Sequence, residues 1–187
     1  MIRKPSKIKP PQINGNGDTI EGQQSGSSNE NLAPGTKDEK EKFDKILHQR
    51  VHFQVYYLGV VSAINMTNSK KRDTEPLLVD ILEENQIDGK LQVSATEENK
   101  VTLFVSRYGI KVMDVGGQEV LQRHPLHTIA QLIQYNDGFG HQNIAVKIGQ
   151  VGKHVYQCFV FQCHSEDQAQ AICNCVRRIF DVIAAKS

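Results

Sequence analysis

An α+β domain is predicted: seven short antiparallel strands arranged as an orthogonal sandwich, with one helix after the first strand and a long C-terminal helix closing the open corner. Three observations carry this. Apolar and polar residues alternate in short runs broken by turn signals, the layout of an antiparallel sheet rather than of parallel strand–helix–strand units. A proline-marked helix start, Thr74-Glu75-Pro76, follows the first run. The last segment joins a capping signal to an apolar stripe at helical spacing.

In the first strand Val51, Phe53, Val55 and Tyr57 alternate with His52, Gln54 and Tyr56, before a fuller apolar stretch through Leu58, Val60 and Val61. Residues 65–73 read as a loop. Leu77, Leu78, Ile81 and Leu82 then share one helix face, and Gly89 ends that helix. Val101, Leu103 and Val105 give a second strand, Tyr108-Gly109 a turn into residues 110–113, and Gly116-Gly117 a hairpin. Residues 120–126 and 129–135 are two more extended segments, separated near Pro125, which cannot donate to a ladder and so marks a bend or an edge. Ile144, Val146 and Ile148 form a sixth strand, and residues 155–163 a seventh with apolar residues on both faces.

The terminal helix opens with Ser165-Glu166-Asp167-Gln168, in which the serine hydroxyl accepts from the Gln168 amide and the glutamine side chain returns to the serine amide. Ala169, Ile172, Cys173, Val176, Ile179, Phe180 and Ile183 recur on one face of a helix roughly 30 Å long. Ala171, Cys175 and Val182 widen that stripe along one flank, which calls for a second packing neighbour. A sandwich closed in this way leaves a strand edge beside a helix, where an extended peptide can add as a further strand.

The 187 residues carry 22 Lys+Arg against 21 Asp+Glu, a balance that argues against a nucleic-acid partner. The average conceals two different polymers. Every Phe and Tyr lies at or after Phe43, whereas Pro5, Pro10, Pro11 and Pro34 precede it and no valine does. Residues 1–42 are therefore expected to be a disordered leader, and 43–187 one globular domain. The leader's tip, Arg3, Lys4, Lys7 and Lys9, has no acid among its first 13 residues and suits docking on an acidic scaffold or nuclear import. No apolar run approaches the roughly 20 residues of a membrane span, and Met1-Ile2-Arg3-Lys4-Pro5 lacks a signal-peptide core, so an intracellular protein is expected. Cys158, Cys163, Cys173 and Cys175 fall on strand and helix segments and suit reduced, packed thiols.

No catalytic constellation, metal site or cofactor motif stands out, which points to a binding module rather than an enzyme. His124 and His127 near Arg123 read as strand-end packing or surface residues more readily than as an acid–base or phosphate site. His154, Cys158, Cys163 and His164 offer zinc-type ligands, but the two cysteines have opposite parity on one strand and point to opposite faces. Cys173 and Cys175 stand about 200° apart around a helix and form no redox pair. Gly138-Phe139-Gly140 is too short for a phosphate cradle. Arg123, Arg107 and Lys111 are the candidates for meeting a phosphate, without any spacing that brings them together. The alternative function is a lipid-binding domain, with Lys70-Lys71-Arg72 making a weak contact with inner-leaflet phosphoinositides.

Five blocks carry a resemblance: Asp88-Gly89-Lys90-Leu91, Ser106-Arg107-Tyr108-Gly109-Ile110-Lys111-Val112, Val120-Leu121-Gln122-Arg123-His124, Tyr135-Asn136-Asp137-Gly138, and Gln162-Cys163 running into Gln168-Ala169-Gln170-Ala171-Ile172-Cys173. In this order they resemble the phosphotyrosine-binding (PTB) domain, a branch of the pleckstrin-homology superfold, and more closely the integrin β1 cytoplasmic-domain-associated family of PTB adaptors. The resemblance covers about residues 50–185. It implies a non-catalytic adaptor that takes the Asn-Pro-x-Tyr turn of an integrin β cytoplasmic tail and restrains integrin activation. It further implies binding of the ankyrin-repeat and FERM-domain scaffold of the cerebral cavernous malformation complex, helped by the basic leader. The implied location is the cytoplasmic face of the plasma membrane at adhesion sites, with the nucleus as a second compartment. The peptide would pair with the fifth strand and pack on the terminal helix, through Ile129, Ala130, Gln131, Leu132, Ile133, Tyr135, Ile179 and Phe180. Ile129 and Tyr135 match the family's groove positions, whereas Ala130 replaces a larger aliphatic residue.

Overall fold

The computed structural model of the chain describes residues 37–48, 50–65, 75–149, 152 and 155–185. The basic tip at Arg3, Lys4, Lys7 and Lys9, the Lys70-Lys71-Arg72 triplet and His154 lie outside the described residues. The elements run α1 (Lys37–His48), β1 (Val51–Asn65), α2 (Glu75–Ile87), β2 (Lys100–Ser106), β3 (Gly109–Met113), β4 (Val120–Pro125), β5 (Ile129–Asn136), β6 (Gln142–Gly149), β7 (Val155–Gln162) and α3 (Glu166–Ala184). All seven expected strands and both expected helices are present. The helix α1 was not expected, and it crosses the boundary drawn after residue 42: residues 37–42 are helical rather than part of a disordered leader. They carry alternating Lys, Asp and Glu without an aromatic residue, so their helical periodicity has almost no apolar stripe to reveal it.

The strands form one antiparallel sheet in the order β4-β3-β2-β1-β7-β6-β5. β1 belongs to both halves: it pairs with β2 from Val51↔Val105 to Tyr56↔Lys100, and with β7 from Tyr56↔Gln162 onward. The register shifts between Tyr57 and Gly59, where Gly59 has φ +136, a conformation in which a side chain would be strained. The sheet bends there. Its two edge strands, β4 and β5, are consecutive in the chain and joined only by the 3-10 turn Leu126–Thr128, so the sheet must curl until their ends meet. In a flat sheet β4 and β7 would stand about 19 Å apart, four strand spacings. Instead the His124 ring on β4 packs on Phe159 of β7 with centroids 4.3 Å apart. His124 is thus an interior packing group, and burial lowers its pKa, which favours the neutral ring.

Curling creates two cores. Inside it, Val55, Leu103, Ile110, Val112, Ile144 and Phe161 meet Ala169, Ile172, Val176 and Ile179 of α3. Outside the second half-sheet, Leu78 and Leu82 of α2 cover Leu58, Ile64, Ala145, Cys158 and Val160. β7 is apolar on both faces because it lies between these cores, which also separates Cys163 on the α3 side from Cys158 on the α2 side. α1 lies against α3, with Ile46, Ala171 and Cys175 lining the seam, and so supplies the second neighbour that the widened stripe requires.

The helix ends follow local chemistry. Gly89, at φ +70, stops α2, and the Lys90 amide turns back to the Asn85 carbonyl at 2.9 Å. At α3 the Ser165 hydroxyl accepts from the Gln168 amide at 3.2 Å, as expected. The return bond differs: Gln168 accepts from the His164 amide at 2.9 Å and donates its Nε2 to the Gln54 carbonyl at 2.9 Å, tying the cap to β1.

Gly109 and Gly117 separate conformational strain from collision. A Cβ on Gly109 (φ +117) would stand 2.1 Å from the His124 carbonyl oxygen, whereas one on Gly117 (φ +67) meets nothing within 4 Å. Gly117→Ala is expected to cost about 1 kcal/mol and Gly109→Ala at least about 2 kcal/mol more, read as urea unfolding midpoints of the two variants.

Candidate functional site

β5 is an edge strand, so its backbone away from β6 has no strand partner among the described residues. Between that edge and α3 runs an open groove of about 290 Å³, lined by Ile129, Ala130, Gln131 and Leu132 on one wall and Cys173, Val176, Arg177 and Phe180 on the other. The helix residues recur at i, i+3, i+4 and i+7, one face of α3. On β5 the register shifts between Ile129 and Gln131, and this bulge at Ala130 lets Ile129 and Leu132, of opposite parity, both turn toward the α3 side. Phe180, 36% exposed, is the large apolar side chain left open beside the edge. The arrangement suits an extended segment: backbone pairing along β5 and apolar contacts against α3.

Of the eight residues expected to form the site, Ile129, Ala130, Gln131, Leu132 and Phe180 come together here. Three do not. Beyond the bulge, alternation turns Ile133 and Tyr135 to the opposite face, where they are buried in the α2-side core. Burial pushes the Tyr135 hydroxyl pKa up, which suits a packed phenol and not a ligand contact. Ile179, one position before Phe180 and so about 100° around the helix, is buried in the inner core and borders a separate depression with Ile46, Val51 and Phe53. Cys173, Val176 and Arg177 were missed; stepping back from Phe180 by three, four and seven residues finds all of them.

Among the other candidate groups, the glycine turn is structural. The Gly138-Phe139-Gly140 turn closes on Asp137, whose carboxylate accepts from the amides of Phe139 at 3.0 Å and His141 at 2.8 Å, leaving no place for an anion. Glu83 of α2 accepts from the Gly138 amide at 3.1 Å and pins the same loop. No group of three or more His, Cys, Asp or Glu is spaced to hold a metal ion among the described residues.

A profile of the family described as beta-1 integrin binding protein matches residues 20–187. The chain belongs to that family. Two relatives named integrin beta-1-binding protein 1 are similar over 133 residues, the one from Bos taurus at 33% identity and the one from Mus musculus at 34%. Each match takes in 70% of this chain and 66% of the relative's length, just under two thirds. A solved MyTH4-FERM domain of Dictyostelium discoideum myosin VII shares 17% identity over 41% of this chain and 14% of its own, with a TM-score of 0.30, too low to bear on fold or function.

Cys173 gives the groove a chemical reporter. Burial, opposed by the nearby Arg177 charge, raises its thiol pKa to about 11. At pH 7.5 the thiolate is therefore a small minority form. Iodoacetamide should therefore modify it about a hundredfold more slowly than an ordinary cysteine, with a rate that rises tenfold per pH unit up to the pKa. Cys158 and Cys163, raised to about 12 and buried, should stay unmodified until the protein unfolds, as peptide mass mapping would read.

Proposed function

We propose that the chain is a non-catalytic adaptor whose β5–α3 groove takes an Asn-Pro-x-Tyr segment of an integrin β cytoplasmic tail by strand addition. The observation that carries this reading is the unpaired β5 edge beside the apolar wall of Cys173, Val176 and Phe180. Membership of a family described as integrin-binding supports the partner. The segment lies antiparallel or parallel to β5 with its backbone paired and alternate side chains against α3, and the tyrosine turn sits at the end of the groove. Ala130 keeps one wall shallow, so the segment's affinity rests chiefly on Leu132, Val176 and Phe180. The scaffold of the cavernous malformation complex competes for the same groove, with the basic leader as its second contact. On this reading the protein works in the cytoplasm at adhesion sites, as one PTB domain that includes α1 and follows a leader, with the nucleus as a second compartment.

Titration of an integrin β tail peptide into the isotope-labelled chain should shift the amides of Ile129, Gln131, Leu132 and Phe180. Phe180→Ala is expected to weaken binding about tenfold, the loss of one well-packed aromatic contact, and replacing the peptide tyrosine by alanine should weaken it at least as much. Shifts that avoid both β5 and α3 would remove the reading.

A further inference from the structure

The groove between β5 and α3 holds a positive charge that nothing in its walls balances. Arg177 is the one charged residue lining it, and no carboxylate does. Asp181 stands one turn further along α3, at the spacing where helix ion pairs form, yet Arg177 takes part in none of the ion pairs among the described residues. The charge is felt inside the groove. At Cys173, one turn earlier, it partly offsets the effect of burial on the thiol and outweighs the opposing field of Glu75, which begins α2 and lies outside the groove lining.

Arg177 is exposed in the free protein, so its guanidinium is hydrated there. A strand laid along β5 covers the groove and displaces water from beside this group, which has five N–H donors and no acceptor. A neutral or basic side chain facing it leaves those donors short of partners, whereas a carboxylate replaces the lost water with paired, charge-assisted bonds. Spacing says where that carboxylate belongs. The α3 wall from Cys173 to Phe180 is about 10.5 Å long and the β5 wall from Ile129 to Leu132 about 10 Å, so helix and strand accompany each other along the groove. Arg177 precedes Phe180 by about 4.5 Å along the helix axis, and its long side chain extends the reach. Side chains on one face of an added strand recur every second residue, about 6.6 Å apart. The neighbour of the side chain packed on Phe180 therefore arrives at Arg177.

Building on the strand addition proposed above, we propose that Arg177 makes the groove selective for segments with an aspartate or glutamate two positions from the apolar residue that packs on Phe180. The test uses the full-length chain and integrin β tail peptides that carry no acid outside the Asn-Pro-x-Tyr turn, with glutamate, glutamine or lysine then placed at one position at a time. Calorimetric titration should show glutamate favoured over glutamine about three- to fivefold, and lysine disfavoured, at one position or at two of the same parity. That position should lie two residues from the apolar residue whose replacement by alanine has no further effect in Phe180→Ala. The preference should shrink as salt rises, vanish in Arg177→Gln and turn to lysine in Arg177→Glu. Arg178→Gln, which removes an equal charge from a residue outside this groove, should leave it in place. A preference that survives Arg177→Gln, one that falls equally in Arg178→Gln, or no preference at any position while Phe180→Ala still weakens binding overturns the charge selection and leaves strand addition standing. If no peptide binds, or if Phe180→Ala has no effect, strand addition itself fails and the charge selection falls with it.

Discussion

The change of partner along β1 is the constraint on which the rest of this fold depends. One strand of 15 residues spends its first part beside β2 and its second beside β7, and it bends at Gly59 between them. The bend turns a single seven-stranded sheet into two faces that enclose a core, and it gives α2 and α3 separate surfaces to cover. With both edges brought to one corner, α3 needs to fill only the remaining opening. Its apolar stripe then exceeds what the opening requires, and the surplus meets α1 on one flank and the β5 edge on the other.

Most of the fold was legible because local rules and tertiary packing agree. Alternation marked the strands, Gly89 and Ser165 marked helix ends, and Pro125 marked the end of an edge strand. The failures lie where packing alone decides. The helical residues 37–42 show no apolar periodicity, and α1 is held by its contact with α3 through positions such as Ile46. Likewise Gln168 finds its partners in His164 and in a β1 carbonyl, of which the second depends on how the helix docks. At the site, the correct strand and helix were identified but not the facing. A one-residue bulge at Ala130 resets the parity of β5, and nothing local in Ile129-Ala130-Gln131-Leu132 announces it. Ile133 and Tyr135 consequently sit in the other core.

Charge was legible in total and opaque in place. The near balance of 22 Lys+Arg and 21 Asp+Glu argued against a nucleic-acid partner, and the β5–α3 groove is mainly apolar, with Arg177 its one cation among the lining residues. Strand register alone brings Lys111 and Arg123 side by side and sets Arg50 near them, although 73 positions of sequence separate the outermost two by simple count of their numbers.

The ladder between β1 and β7 also sets an order of events in time. The bond from Gln168 to the Gln54 carbonyl spans 114 positions, and every pair between β1 and β7 is comparably remote. During synthesis the second half of β1 waits, without its strand partner, until the C-terminal quarter of the chain has emerged. Folding of such non-local topologies takes milliseconds to seconds, far longer than for helical bundles. Since α3 follows β7, the helical wall of the groove arrives after all seven strands. A nascent or C-terminally shortened chain therefore displays β5 as a bare edge, open to aggregation, before it has any wall with which to choose a ligand.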